Sequence, residues 1–167
     1  MWTTGMEANA AALGVGKLIT SLTMTVFYII LYYIWRERYA IEGRKGLTVS
    51  LWGLLVARVA LCLLPQNEWL AVHPSLLFGI LRNIPFAIMG VIIIVLFAQE
   101  AKKANDSIFS KMWLAVLLSF GFYIPVVLFS AAVPAIGMLM IPKTLAYVWI
   151  LWMGWKLYRQ SVQKETL

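Results

Sequence analysis

The chain has 167 residues, of which 62% are hydrophobic and 13% charged, and its formal net charge is +7. With a mean hydropathy of +0.84, this usage lies far from that of a water-soluble domain. Nor is the positive charge a nucleic-acid signal: the cations collect in short loops between apolar runs, where membrane orientation places them.

The first apolar run extends from Leu13 to Trp35. An Ala8-Asn9-Ala10 triplet resembles a signal-peptidase site, but it precedes the apolar stretch instead of following it, so the N-terminus is expected to be retained. Ala8, Ala12 and Gly16 recur every fourth residue, followed by Thr20. Such a small-residue stripe allows close helix contact, either within the chain or with a second copy or partner subunit.

The second run, Leu47 to Leu64, carries Arg58 near its middle and the single cysteine, Cys62. One cysteine forms no internal disulfide and no multi-cysteine metal site. The third run, Ser75 to Phe97, contains Arg82, Asn83 and Pro85. The fourth, Met112 to Val133, contains Phe122, Tyr123 and Pro125, and the fifth, Ile136 to Leu157, contains Pro142, Lys143, Thr144 and Tyr147.

Each run has about the 17 to 25 residues that a membrane helix needs. Backbone amides in lipid must be satisfied within the segment, and the runs lack the alternation of barrel strands, so α-helices follow. The expected fold is all-α: a polytopic integral membrane bundle of five transmembrane helices forming one domain over residues 1–167, in the plasma (inner) membrane.

Loop charge sets the expected orientation. Arg36, Arg38, Arg44 and Lys45 follow the first run, Lys102, Lys103 and Lys111 the third, and Lys156, Arg159 and Lys164 the fifth. The intervening loops, Pro65 to Pro74 and Pro134 to Gly137, carry no Lys or Arg, which places the N-terminus outside and the C-terminus in the cytoplasm. Tryptophan, which favours the membrane interface, agrees: Trp35, Trp52, Trp113 and Trp155 fall at the cytoplasmic ends, Trp2 and Trp69 on the outer side. Trp149 and Trp152 lie deeper, as core residues or cavity lining.

Arg58, Arg82 and Lys143 stand inside spans that contain no Asp or Glu. A cation in hydrocarbon costs at least about 2.5 to 3.5 kcal/mol, so it reaches water, finds a partner or serves a purpose. Lys17 and Lys143 suit snorkelling to the outer headgroups. Arg58 and Arg82 suit planar recognition of carboxylate or phosphate. An Ile-Pro pair in each of the last three spans should release the carbonyls of Leu81, Gly121 and Met138. Thr144, Tyr147 and Tyr123 lie near the same level and would complete a small pocket, or else pack.

No HExxH, GxSxG or phosphate-loop pattern occurs, and the one histidine, His73, is in a loop. A Ser130–Lys143 dyad is chemically possible, but nothing in the sequence specifies their contact. With every carboxylate in a loop or terminus, a self-sufficient ion-coupled carrier is not expected. The expected protein is non-enzymatic and free of metal and cofactor. It binds an anionic small solute or lipid headgroup through Arg58, Arg82, Asn83, Lys143, Thr144, Tyr123 and Tyr147, as a facilitator, receptor or substrate-binding transporter subunit. The rival class is a structural or assembly subunit, and a membrane-embedded enzyme ranks third.

Overall fold

The computed structural model describes residues 2–71, 75–129 and 133–165, and these are helical with no strand. Among them, five stretches are long and apolar enough to cross a membrane: Ala11–Arg38, Lys45–Leu63, Leu76–Lys103, Phe109–Phe129 and Ala135–Gln163. This is the pattern of an integral membrane protein. The expected spans are all present, with shifted ends.

The helices are α1 (Trp2–Arg38), α2 (Lys45–Leu63), α3 (Leu76–Leu81), α4 (Ile84–Lys103), α5 (Met112–Phe129) and α6 (Met140–Glu165). The third span is therefore two helices, parted at Arg82 and Asn83. Pro85 and Pro142 fall in the first turns of α4 and α6, where an amide hydrogen has no intrahelical acceptor to lose. The carbonyls of Leu81 and Met138, expected to be freed within continuing helices, instead belong to the elements that end just before α4 and α6. Among the described residues only Pro125 is internal to a helix. A 3-10 turn, Pro134–Leu139, precedes α6.

Residues form two compact units, Met1–Met89 and Gly90–Leu167. In the first, α1 and α2 pack through Tyr28, Leu31, Tyr32, Trp35 and Leu51, all buried. Tyr32 Oη and Thr48 Oγ1 share a hydrogen bond of 2.6 Å, and Trp52 Nε1 donates to Tyr33 Oη at 3.1 Å. Three hydroxyls on α1 are satisfied by their own helix: Thr20 donates to the Gly16 carbonyl, Ser21 to Lys17 and Thr25 to Ser21. Donation to the carbonyl one turn back keeps such groups paired where water is absent.

Trp35 is fully buried and stacks on Tyr32 at 5.9 Å, so it is a core residue and not the interface anchor its position suggested. Arg44, just before α2, lies over the same ring, 5.6 Å from its centre.

In the second unit α5 and α6 are the most closely packed helices. Ala115, Val116, Ser119 and Phe120 of α5 and Ala146, Ile150 and Met153 of α6 are buried. Gly90 of α4 lies directly beneath the Phe120 ring, which occupies the space a Cβ would need. The α4–α5 connection is fixed by Asp106, whose Oδ1 accepts from the amides of Ile108 at 2.9 Å and Phe109 at 3.1 Å. Buried acid oxygen at this N-terminal turn satisfies donors that have no helical acceptor.

Candidate functional site

The end of α2 and the break in the third span meet in the first unit, around Asn67. After α2 the chain makes a 3-10 turn at Pro65–Asn67, and Glu68 adopts a left-handed conformation with φ 47° that turns it back. This brings the fully buried Asn67 side chain beneath the last carbonyls of α2. Its Nδ2 donates to Leu61 at 2.6 Å and to Leu64 at 2.9 Å, with a longer approach of 3.4 Å to Cys62. Trp69 Nε1 donates to the Cys62 carbonyl at 2.9 Å. The orphan acceptors at the helix end are thus met by side chains instead of water.

The same Asn67 accepts on its other face: Arg82 Nη1 donates to Asn67 Oδ1 at 2.9 Å. The half-buried Arg82 guanidinium also lies 3.9 Å over the Trp69 ring. A helix C-terminus carries a partial negative charge, so this is a favourable place for a cation. Beside it Asn83 Nδ2 donates to the Gly79 carbonyl at 2.8 Å, replacing a bond lost where the helix stops.

Arg58 is 1% exposed, one turn before Cys62 on α2. Its guanidinium lies 3.6 Å over the Phe86 ring, which in turn meets the edge of Tyr28 at 4.9 Å. Arg58 and Arg82 thus each have a face covered by an aromatic ring, and Asn67 links Arg82 to the carbonyls around Cys62. A ring against the guanidinium face is an attractive contact that offsets part of the cost of holding the charge away from water.

Lys143 belongs to the second unit. It is 5% exposed, with Nζ 4.0 Å from the Tyr123 ring centre and 5.6 Å from that of Tyr147. Burial against two tyrosines differs from the snorkelling expected of this lysine. Thr144 is exposed and gives its hydroxyl to the Met140 carbonyl at 2.8 Å. The seven expected residues thus form two groups, Arg58, Arg82 and Asn83 in one unit and Tyr123, Lys143, Thr144 and Tyr147 in the other. Lys17 is exposed, as snorkelling requires.

The small-residue stripe behaves differently from its neighbour in sequence. Gly16 and Ala12 are exposed and Gly16 has nothing within 4 Å of an added Cβ, so neither packs within the chain. It is Gly14 that lies against the Trp69 backbone carbonyl, leaving no space for a side chain. The Ala8 and Glu7 side chains, and residues His73 and Ser130, lie outside the described residues.

Asn67, Trp69, Gly14 and Phe86 were not picked out from the sequence as parts of the site. Asn67 had one usable signal, an Asn just past the end of an apolar run, the ordinary place for a C-terminal cap. Trp152, expected in the core or a cavity, is 56% exposed. Compared with known proteins, the chain matches no family model, no curated protein and no solved structure.

Proposed function

We propose that this protein binds an anionic small solute or lipid headgroup in the outer half of its membrane region, as a facilitator, receptor or substrate-binding transporter subunit. In this reading the N-terminus is outside and the C-terminus in the cytoplasm of a cell bounded by its plasma (inner) membrane. The observation that carries it is the pair of guanidinium groups in the spans of one unit, Arg58 buried over the Phe86 ring and Arg82 half-buried over the Trp69 ring. Two cations near each other in a low-dielectric setting raise the local positive potential, and guanidinium edges match carboxylate and phosphate oxygens.

The test uses protein purified in detergent, with its melting followed against inorganic phosphate, small carboxylates and phosphatidylglycerol. A saturable stabilisation by one of these, lost in Arg58→Gln and Arg82→Gln, supports the reading. Melting that ignores all of them, with both variants equally stable, overturns it.

A second reading is a structural or assembly subunit without ligand. It is favoured by the aromatic ring beside each of the three membrane cations, Phe86 for Arg58, Trp69 for Arg82 and Tyr123 for Lys143. Under it the same substitutions lower stability, and no anion changes melting.

A further inference from the structure

Near its C-terminal end, α6 presents a repeated pairing of tryptophan with cation. Lys156 Nζ lies 5.7 Å from the Trp152 ring centre, and Arg159 lies 5.5 Å over Trp155. Both rings are largely exposed, at 56% and 55%, and both cations are exposed too. At 3.6 residues per turn, Trp152, Trp155, Lys156 and Arg159 fall within an arc of about 100°. Ala146, Ile150 and Met153, the buried positions of the same helix, fall on the other side.

The pairs therefore face away from α5. They also cover a particular depth. From Trp152 to Arg159 is about 10 Å at 1.5 Å per residue, comparable to the interfacial layer between hydrocarbon and water. Tryptophan suits the inner boundary of that layer, and a cation suits the phosphate level. Neighbouring Tyr158, 61% exposed and 6.0 Å from the Trp155 ring, extends the aromatic surface.

We propose that this face of α6 is a binding surface for anionic phospholipid, with Lys156 and Arg159 on the phosphate and Trp152 and Trp155 along the upper acyl chain. Charge complementarity selects the occupant: a zwitterionic lipid offers the phosphate together with its own competing cation. A helix C-terminus alone would account for the cations, which complement its dipole, but not for their spacing four residues from exposed tryptophans. The surface does not depend on the role assigned to Arg58 and Arg82.

Native mass spectrometry of the detergent-purified chain, titrated with phosphatidylglycerol and with phosphatidylcholine of the same acyl chains, tests it. Wild-type protein should retain phosphatidylglycerol more tightly. K156Q/R159Q should weaken that retention by about five-fold per cation removed, while leaving phosphatidylcholine unchanged. W152L/W155L should weaken both lipids, and K102Q/K103Q should leave the preference intact. Equal retention of the two lipids by the wild type overturns the proposal, a result that needs no variant to fold. So does an equal loss in K102Q/K103Q, which would make the effect one of net charge. Because phosphatidylglycerol is also a candidate ligand of Arg58 and Arg82, the two sites are separated by repeating the comparison in an Arg58→Gln background: the loss caused by K156Q/R159Q should recur there undiminished, and its disappearance overturns the proposal.

Discussion

Arg82 and Asn67 are joined by a hydrogen bond of 2.9 Å that ties the break in the third span to the end of α2. Without it, Asn67 would still cap α2 and Arg82 would still stack on Trp69, but the two helix ends would be separate. The bond makes them a single polar cluster, in which each member satisfies more than one neighbour.

Asn67→Ala should accordingly be among the most damaging single substitutions in the first unit. It removes donors to the Leu61 and Leu64 carbonyls and the acceptor for Arg82. Loss of a hydrogen bond to a charged group together with unsatisfied carbonyls should cost at least about 2 kcal/mol. Thermal denaturation in detergent measures it, with the exposed Gln66→Ala as the control that should change little.

Gly14→Ala should destabilise the protein, whereas Gly16→Ala should not. The first places a methyl group against the Trp69 carbonyl, and the second meets nothing within 4 Å. Overpacking of this kind costs about 1 to 3 kcal/mol. An effect of Gly16→Leu on oligomer size, with monomer stability unchanged, would assign the exposed Ala12 and Gly16 face to a second copy or partner.

Substitution of the two arginines should separate charge from geometry. If they hold an anion, Arg82→Gln should lower its affinity about ten-fold or more, since charge-assisted hydrogen bonds contribute about 1.5 to 3 kcal/mol. Arg58→Lys should recover only part of the loss of Arg58→Gln, because an ammonium lacks the planar fork. Lys143→Gln should do less than either. Anion-dependent melting curves of the four variants provide the measurement.

Single-cysteine labelling checks orientation. With the buried Cys62 unreactive as an internal control, Leu70→Cys should react with an impermeant reagent from outside. Arg44→Cys and Asn105→Cys should react only after the membrane is opened. All three positions are exposed on loops. The inverse result would place the Arg58 and Arg82 cluster in the cytoplasmic half.

The spans were legible because their signal is composition over some twenty residues, which survives any detail of packing. The break at Arg82 and Asn83 was also within reach, through Pro85. What the sequence concealed was partnership. A search for membrane cations looks for carboxylates, yet Arg58, Arg82 and Lys143 lie against Phe86, Trp69 and Tyr123, residues that read as ordinary apolar content. Gly14 and Gly16 are likewise indistinguishable by type. Only the path of the loop after Asn67, which delivers Trp69 onto one of them, tells them apart.

Asn67 also imposes a chemical requirement that its size alone would not. It must donate toward α2 and accept from Arg82 at once, and a carboxamide does both from a single planar group. Exchange of its nitrogen for oxygen, as in deamidation to Asp, would set a carboxylate against the carbonyls of Leu61 and Leu64 while strengthening the attraction to Arg82. The two halves of the cluster would then respond in opposite directions to one atom. At this position the identity of a single nitrogen decides whether the end of α2 stays closed.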